Sequence, residues 1–295
     1  MQSIKTVGVI GAGQMGGGIA QVAAVSGFST LVYDAFPQSV ERCKIDRSKR
    51  LARSVEKGEL TKDAMDAALG RIEYVSSIDA FGKCDIVIEA VVEDVKAKTD
   101  LFVKLAEMFA KIPGEQILAS NTSSISITEI AAATRHIKGP TVSAPEQVIG
   151  MHFFNPVPVM KLVEVIKGLA TSAKTTERTI ELAKAMGKTP IPANDRPGFV
   201  SNRVLMPMIN EAFYALMEGV AEPQHIDEIM KLGCNFPMGP LRLADFIGLD
   251  TCVHIMDVLA DGLNNDRYRA CPLLKQLVVA GRLGDKTGRG VVDYS

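Results

Sequence analysis

The stretch VGVIGAGQMGGGIAQ (Val7–Gln21) constrains this chain more than any other. An apolar run leads into three glycines spaced Gly11-x-Gly13-x-x-Gly16, and a helical pattern follows. In a strand–turn–helix unit each glycine has its own task. The first permits the tight turn, the second lets backbone approach a pyrophosphate, and the third lets helix pack close on strand. The helix N-terminus then offers unpaired amides to the anion, with Gln14 and Met15 among the expected cofactor contacts. Alone the motif is weak, because glycines also serve ordinary turns. Here Asp34 ends the next apolar run, STLVYD (Ser29–Asp34), at the distance where a carboxylate accepts from a ribose hydroxyl and repels a 2′-phosphate. No arginine stands in AFPQ just after it, which favours NAD over NADP.

The same rhythm continues. Lys5–Ile10, Ser29–Asp34, Cys84–Val91, Gln116–Asn121 and Val148–Phe154 read as strands, and Met15–Ser26, Ser39–Glu56 and Lys96–Phe109 as helices between them. The near-continuous apolar character of the strands is that of a parallel sheet covered on both faces. The expected fold is α/β, a Rossmann-type doubly wound sheet followed by an all-helical C-terminal domain. The proline- and glycine-punctuated TPIPANDRPG (Thr189–Gly198) marks the boundary, giving domains 1–192 and 193–295. Beyond it, Phe199–Gly219 reads as a long helix kinked at Pro207, with further helices at Gln224–Leu232, Thr251–Asp261 and Leu273–Ala280.

Composition narrows the function classes. Lys plus Arg is 33 against 34 Asp plus Glu, a formal charge of −1, which argues against a nucleic-acid or membrane-surface protein. Five cysteines with no C-x-x-C pair argue against a disulfide framework or a metal site and fit a reducing compartment. With no basic leader and no apolar run near the roughly twenty residues a bilayer needs, the expected location is the cytoplasm.

Two segments carry candidate chemistry. In ASNTSSISI, Asn121, Thr122, Ser123 and Ser124 follow a strand, where open α/β sheets bind ligands. The plain alternative is a helix cap by Ser124 or Ser126 before ITEIAAAT. In MHFFNPVPVMKLVEV, His152 closes one strand and Glu164 interrupts the apolar run of the next. An isolated carboxylate is costly to bury unless paired. The short NPVPV link could bring the two together, with Glu164 fixing the tautomer and leaving the other ring nitrogen as a base. On spacing alone this stands level with a satisfied core histidine.

Taken together, GAGQMGGGIA, IEAVVED, SNTSS, GMHFFNPVPVMKLVEV, PGFVSNR, PMGPLRLADFIGLD and KTGRG resemble the L-3-hydroxyacyl-CoA dehydrogenases over essentially the whole chain, and most of all the short bacterial enzymes acting on 3-hydroxybutyryl-CoA. The resemblance implies hydride transfer between an acyl-CoA 3-hydroxyl carbon and NAD. It implies His152 as acid/base, Glu164 as its partner, and Ser123 and Asn202 as hydrogen-bond donors to the reacting oxygen. Glu93, Lys98, Asn155 and Lys286 are implied as cofactor contacts, beside Asn121, Ser123, Asp34 and the glycine loop. Coenzyme A would lie along the helix bearing Lys49, Arg50, Arg53 and Lys57, with Arg50 and Lys57 as its contacts; a solvated basic face is the plain alternative. The helical domain is expected to help bind substrate and to form a homodimer.

Two features depart from the pattern. Arg135–Gln147 is longer than the usual link, and Val291 and Val292 stand where an aromatic pair is common. Two rival functions share the fold: a dehydrogenase of a free hydroxy or sugar acid, and a non-catalytic NAD-binding structural protein. The full set Ser123, His152, Glu164 and Asn202 argues against the second.

Overall fold

The computed structural model describes residues 4–139 and 143–294. Contacts divide the chain into two compact units, Met1–Asp195 and Arg196–Ser295.

The first unit is one eight-stranded sheet flanked by helices. Its strands are β1 (Thr6–Ile10), β2 (Ser29–Tyr33), β3 (Ile72–Tyr74), β4 (Ile86–Glu89), β5 (Ile117–Ser120), β6 (Val148–Phe153), β7 (Leu162–Lys167) and β8 (Thr189–Asn194), in the spatial order β3-β2-β1-β4-β5-β6-β7-β8. Pairings from β3 through β6 are all parallel; β7 runs antiparallel to β6, and β8 parallel to β7. The order reverses between β1 and β4, which opens a crevice at the strands' C-terminal ends. Strands β4, β5 and β6 are buried at every residue, as their unbroken apolar runs require.

The connecting helices are α1 (Gln14–Val25), α2 (Pro37–Glu56), α3 (Lys62–Gly70), α4 (Val95–Phe109), α5 (Ile127–Ala133) and α6 (Ala173–Ala185). Short polar side chains start four of them: Thr61, Asp94, Ser126 and Ser172 each accept a first-turn N–H. Ser126, not Ser124, caps α5. Of the long Arg135–Gln147 segment, residues 140–142 lie outside the described residues; beside them Lys138 and Ser143 form an antiparallel bridge.

The segment read as a domain boundary begins with a strand, β8. TPIPAN carries two prolines, which would break a central strand, but β8 lies at the sheet edge. Thr189 N–H donates to Lys161 O and Asp195 N–H to Lys167 O, so the odd-numbered amides turn toward β7. Pro190 and Pro192 alternate with them and face outward, where the missing N–H costs no ladder bond.

The second unit is helical: α7 (Ser201–Met217), α8 (Pro223–Cys234), α9 (Pro240–Ile247), α10 (Leu249–Leu263) and α11 (Pro272–Val279). Pro207 sits inside α7, and α9 is a helix the sequence pattern did not suggest. Asp227 of α8 accepts Leu241 and Arg242 N–H at 2.9 Å and so caps α9 from outside. Met206, Phe213, Leu249, Met256, Leu259 and Leu274 form its core. The tail is tied down by buried Asp245, whose carboxylate accepts from Val291 N–H and Tyr294 Oη. Among the described residues no helix is long and apolar enough to cross a membrane.

Candidate active site

The glycine loop follows β1, next to the switch point. Two of its glycines are demanded by the protein itself. At Gly11, with φ at 103°, an added Cβ would lie 2.3 Å from Ala90 O; at Gly16 it would lie 1.8 Å from Gly11 O. Gly13 differs: its φ is −70°, and an added Cβ meets nothing within 4 Å. Its missing side chain keeps ground open over the first turn of α1, where the helix amides point. That cradle fits a dinucleotide phosphate. Asp34 stands just beyond β2 and anchors the loop, accepting Ala12 N–H at 2.7 Å and Phe36 N–H at 2.9 Å. Gln14 Nε2 donates to Asn155 Oδ1 at 2.8 Å, tying the loop to the turn after β6, while Met15 packs against the core.

The next strand ends hold a connected set of charges. Glu89, the last residue of β4, is 0% exposed and Lys98 of α4 is 1% exposed. Lys98 Nζ lies 2.6 Å from Glu89 and 3.2 Å from Glu93. Glu93 Oε1 gathers Thr122 Oγ1, Ser123 N–H, Ser124 N–H and Ser124 Oγ. Burial alone would raise the Glu93 pKa; the Lys98 ammonium and these hydrogen bonds outweigh it and hold the carboxyl below its usual value. Asn121 Oδ1 accepts Phe153 N–H at 2.9 Å, joining the ends of β5 and β6.

His152 and Glu164 face each other directly across the antiparallel pair β6–β7. Their side chains meet at 2.8 Å, Nδ1 to Oε2, with only 8% and 3% of each residue exposed. An ionised carboxylate there only accepts, which suits an imidazole protonated at Nδ1. The Phe154 ring packs on the imidazole with centroids 4.6 Å apart.

The structure thus brings together Glu93, Lys98 and Ser123, joins Gln14 to Asn155, and pairs His152 with Glu164. On α2, Lys49 and Arg53 are exposed and Arg50 half-buried, with Lys57 exposed at its C-cap. Asn202 and Lys286 belong to the second unit. Asn202 is buried in the first turn of α7, and Lys286 Nζ lies 2.5 and 2.6 Å from the Asp250 carboxylate oxygens.

Residues that sequence reasoning missed support these groups. Glu89 also accepts from Ser120 Oγ at 2.6 Å. Its signal was present: like Glu164, it is a carboxylate inside an apolar strand run. Lys188, 8% exposed, donates to Val157 O and Met160 O and pins the link between β6 and β7. Burial lowers its pKa. Asp195 accepts from Ser126 Oγ and Thr128 N–H at the start of α5. Neither Lys188 nor Asp195 stands in a sequence setting that marks it.

Comparison with known proteins agrees with this geometry. The family model for the 3-hydroxyacyl-CoA dehydrogenase NAD-binding domain matches residues 6–196, and that for the C-terminal domain matches residues 198–294. The chain is 55% identical to a probable 3-hydroxybutyryl-CoA dehydrogenase of Bacillus subtilis, covering 99% of this chain and 98% of that protein. It is 49% identical to a 3-hydroxybutyryl-CoA dehydrogenase of Bradyrhizobium diazoefficiens, covering 99% and 96%. The crystal structure of (S)-3-hydroxybutyryl-CoA dehydrogenase from Ralstonia eutropha superposes with a TM-score of 0.90 at 49% identity, covering 99% of this chain and all of that one. The chain therefore belongs to the 3-hydroxyacyl-CoA dehydrogenase family, NAD-dependent oxidoreductases that act on CH–OH groups.

Proposed function

We propose that this protein interconverts an (S)-3-hydroxyacyl-CoA and the 3-oxoacyl-CoA, with 3-hydroxybutyryl-CoA and acetoacetyl-CoA as the preferred pair. The buried His152–Glu164 contact at 2.8 Å carries the reading. The names of the similar proteins support the choice of substrate.

In oxidation, His152 Nε2 takes the 3-hydroxyl proton, because Nδ1 is committed to Glu164. The imidazolium that results faces the Glu164 carboxylate in a setting of low dielectric, where the attraction is stronger than in water. Ser123 and Asn202 hydrogen-bond the reacting oxygen and hold it to the base. NAD, when bound, supplies the hydride acceptor. In reduction His152 returns the proton. Gly11, Gly13, Gln14, Met15 and Gly16 hold the pyrophosphate, and Asp34 the adenosine ribose. Glu93, Lys98, Asn121, Ser123, Asn155 and Lys286 shape the remaining nucleotide contacts. Buried Lys98 serves through Glu93, whose carboxylate it faces. Arg50 and Lys57 receive the phosphates of coenzyme A.

The first unit, in place of the expected 1–192, forms the nucleotide domain, and the second serves substrate binding and homodimer formation. Exposed apolar side chains on α8, Ile229 at 63% and Leu232 at 81%, support self-association. The odd number of cysteines, all five of them free thiols, supports action in the cytoplasm.

Acetoacetyl-CoA reduction, followed by loss of nicotinamide absorbance with NADH and NADPH in parallel, tests the proposal. Turnover with NADH well above that with NADPH is expected. Turnover only with NADPH would overturn the role of Asp34. Inactivity with both, alongside oxidation of a free hydroxy acid, would overturn the thioester reading.

A further inference from the structure

Glu89 is the most thoroughly enclosed carboxylate among the described residues of the sheet, and both of its oxygens are occupied. Its Oε1 accepts Lys98 Nζ at 2.6 Å and Val91 N–H at 2.7 Å, and its Oε2 accepts Ser120 Oγ at 2.6 Å. At 0% exposure it is closed to solvent and to any ligand. A core built only for stability is as well served at such a place by an apolar side chain. What the charge does emerges by following it outward.

Lys98 lies between Glu89 and Glu93, so negative, positive and negative groups alternate toward the surface. At the outer end Glu93 collects Ser123 N–H at 2.9 Å and Ser124 N–H at 3.0 Å. The turn that carries Ser123 therefore hangs from Glu93, Glu93 is faced by Lys98, and Lys98 is fixed by Glu89. The turn is gripped at its root as well. Ser120 Oγ, which donates to Glu89, accepts Thr122 N–H at 3.2 Å. One buried carboxylate thus reaches both ends of the turn.

We propose that Glu89 is a positioning residue for Ser123, acting through Ser120 at one end of the turn and through Lys98 and Glu93 at the other. It sets the geometry of the 120–124 turn without touching substrate or nucleotide. The functional consequence rests on the reading of Ser123 as a substrate-site group; the structural consequence does not.

Glu89→Gln keeps the shape and an acceptor but removes the charge that holds Lys98 in place. Site-resolved amide hydrogen exchange on the nucleotide-free protein reads the turn directly. Exchange at Ser123 and Ser124 is expected to rise roughly 30-fold, the scale of one charge-assisted hydrogen bond, while the β1 amides Val7–Ile10 keep their rates. In kinetics, kcat is expected to fall, and the double variant Glu89→Gln/Ser123→Ala to be no slower than Ser123→Ala alone. Ser120→Ala, a gentler change, should shift the same two amides in the same direction and decides the matter if Glu89→Gln does not fold. Unchanged exchange at Ser123 and Ser124, or a rise shared equally by β1, would overturn the proposal and leave Glu89 as part of the core. Kinetic additivity of Glu89 and Ser123 would overturn it too. If the wild-type protein lacked the proposed dehydrogenase activity, the exchange result would still stand or fall by itself.

Discussion

Replacing Glu164 by glutamine tests the centre of the proposed chemistry. The change preserves volume and leaves a neutral oxygen to accept from His152 Nδ1, now 2.8 Å from the carboxylate. What it removes is the charge facing the imidazolium that forms when Nε2 takes a proton. With charge centres roughly 4 Å apart and an effective dielectric near 20, the attraction is ~4 kcal/mol. The worth of a single charge-assisted hydrogen bond, about 2 kcal/mol, sets the lower figure. His152 gains its charge only as the proton moves, so the loss falls on the transition state and spares the bound substrate. At about 1.36 kcal/mol per decade of rate, kcat should drop roughly 30- to 900-fold, with KM for the acyl-CoA changed little. Stability should hold, because the variant removes a buried charge and leaves a neutral imidazole with a partner. The assay is the initial rate of NAD reduction on 3-hydroxybutyryl-CoA across substrate concentrations, with thermal melting as the control for folding. A kcat within about threefold of wild type, in a variant that melts normally, would refute the argument.

Three further outcomes follow from the same geometry. Gly16→Ala forces a Cβ to 1.8 Å from the backbone oxygen of Gly11, which cannot rotate away, so β1 and α1 must separate; a loss of about 1–3 kcal/mol and of NADH binding by fluorescence titration is expected, and an unaltered melting temperature would contradict the close packing. Glu93 is held below its ordinary value of 4.5, so folding releases its proton: its stabilisation is complete above pH 4.5 and fades as pH falls toward the folded value. Urea unfolding across that acid range should therefore show a shallower loss for Glu93→Gln than for wild type, and superimposable acid limbs would count against the network. Neutralising Arg50 and Lys57 together should raise KM for the acyl-CoA several-fold, at ~0.2–1 kcal/mol per surface charge, and leave KM for NAD alone; equal effects on both would reassign that face of α2.

Much of the first unit was legible because its signals are local. Parallel strands buried on both faces must be apolar throughout, and the glycine loop must satisfy sterics that Gly11 and Gly16 show directly. The His152–Glu164 pair was legible as a possibility, since a carboxylate in an apolar run asks for a partner. Strand β8 was hidden because prolines ordinarily forbid a strand; only its place at the edge, with Pro190 and Pro192 turned outward, makes them compatible. Helix α9 was hidden because its N-terminal cap is Asp227, in another helix.

What the sequence determined by itself was the alternation of apolar strands and helices through most of the first unit, the glycine loop after β1, and the presence of a histidine and a carboxylate in neighbouring apolar runs. These depend on neighbours in the chain, and short-range sterics and periodicity record them. What only the tertiary structure decided was partnership. The register His152↔Glu164 required the antiparallel turn between β6 and β7. The placement of Lys98 between Glu89 and Glu93 required the first turn of α4 to bring its side chain back to the end of β4. Lys188 acquired its two carbonyls only when the start of β8 met the link after β6. Electrostatic and hydrogen-bond energy depends on distance in space, and separation along the chain does not encode it.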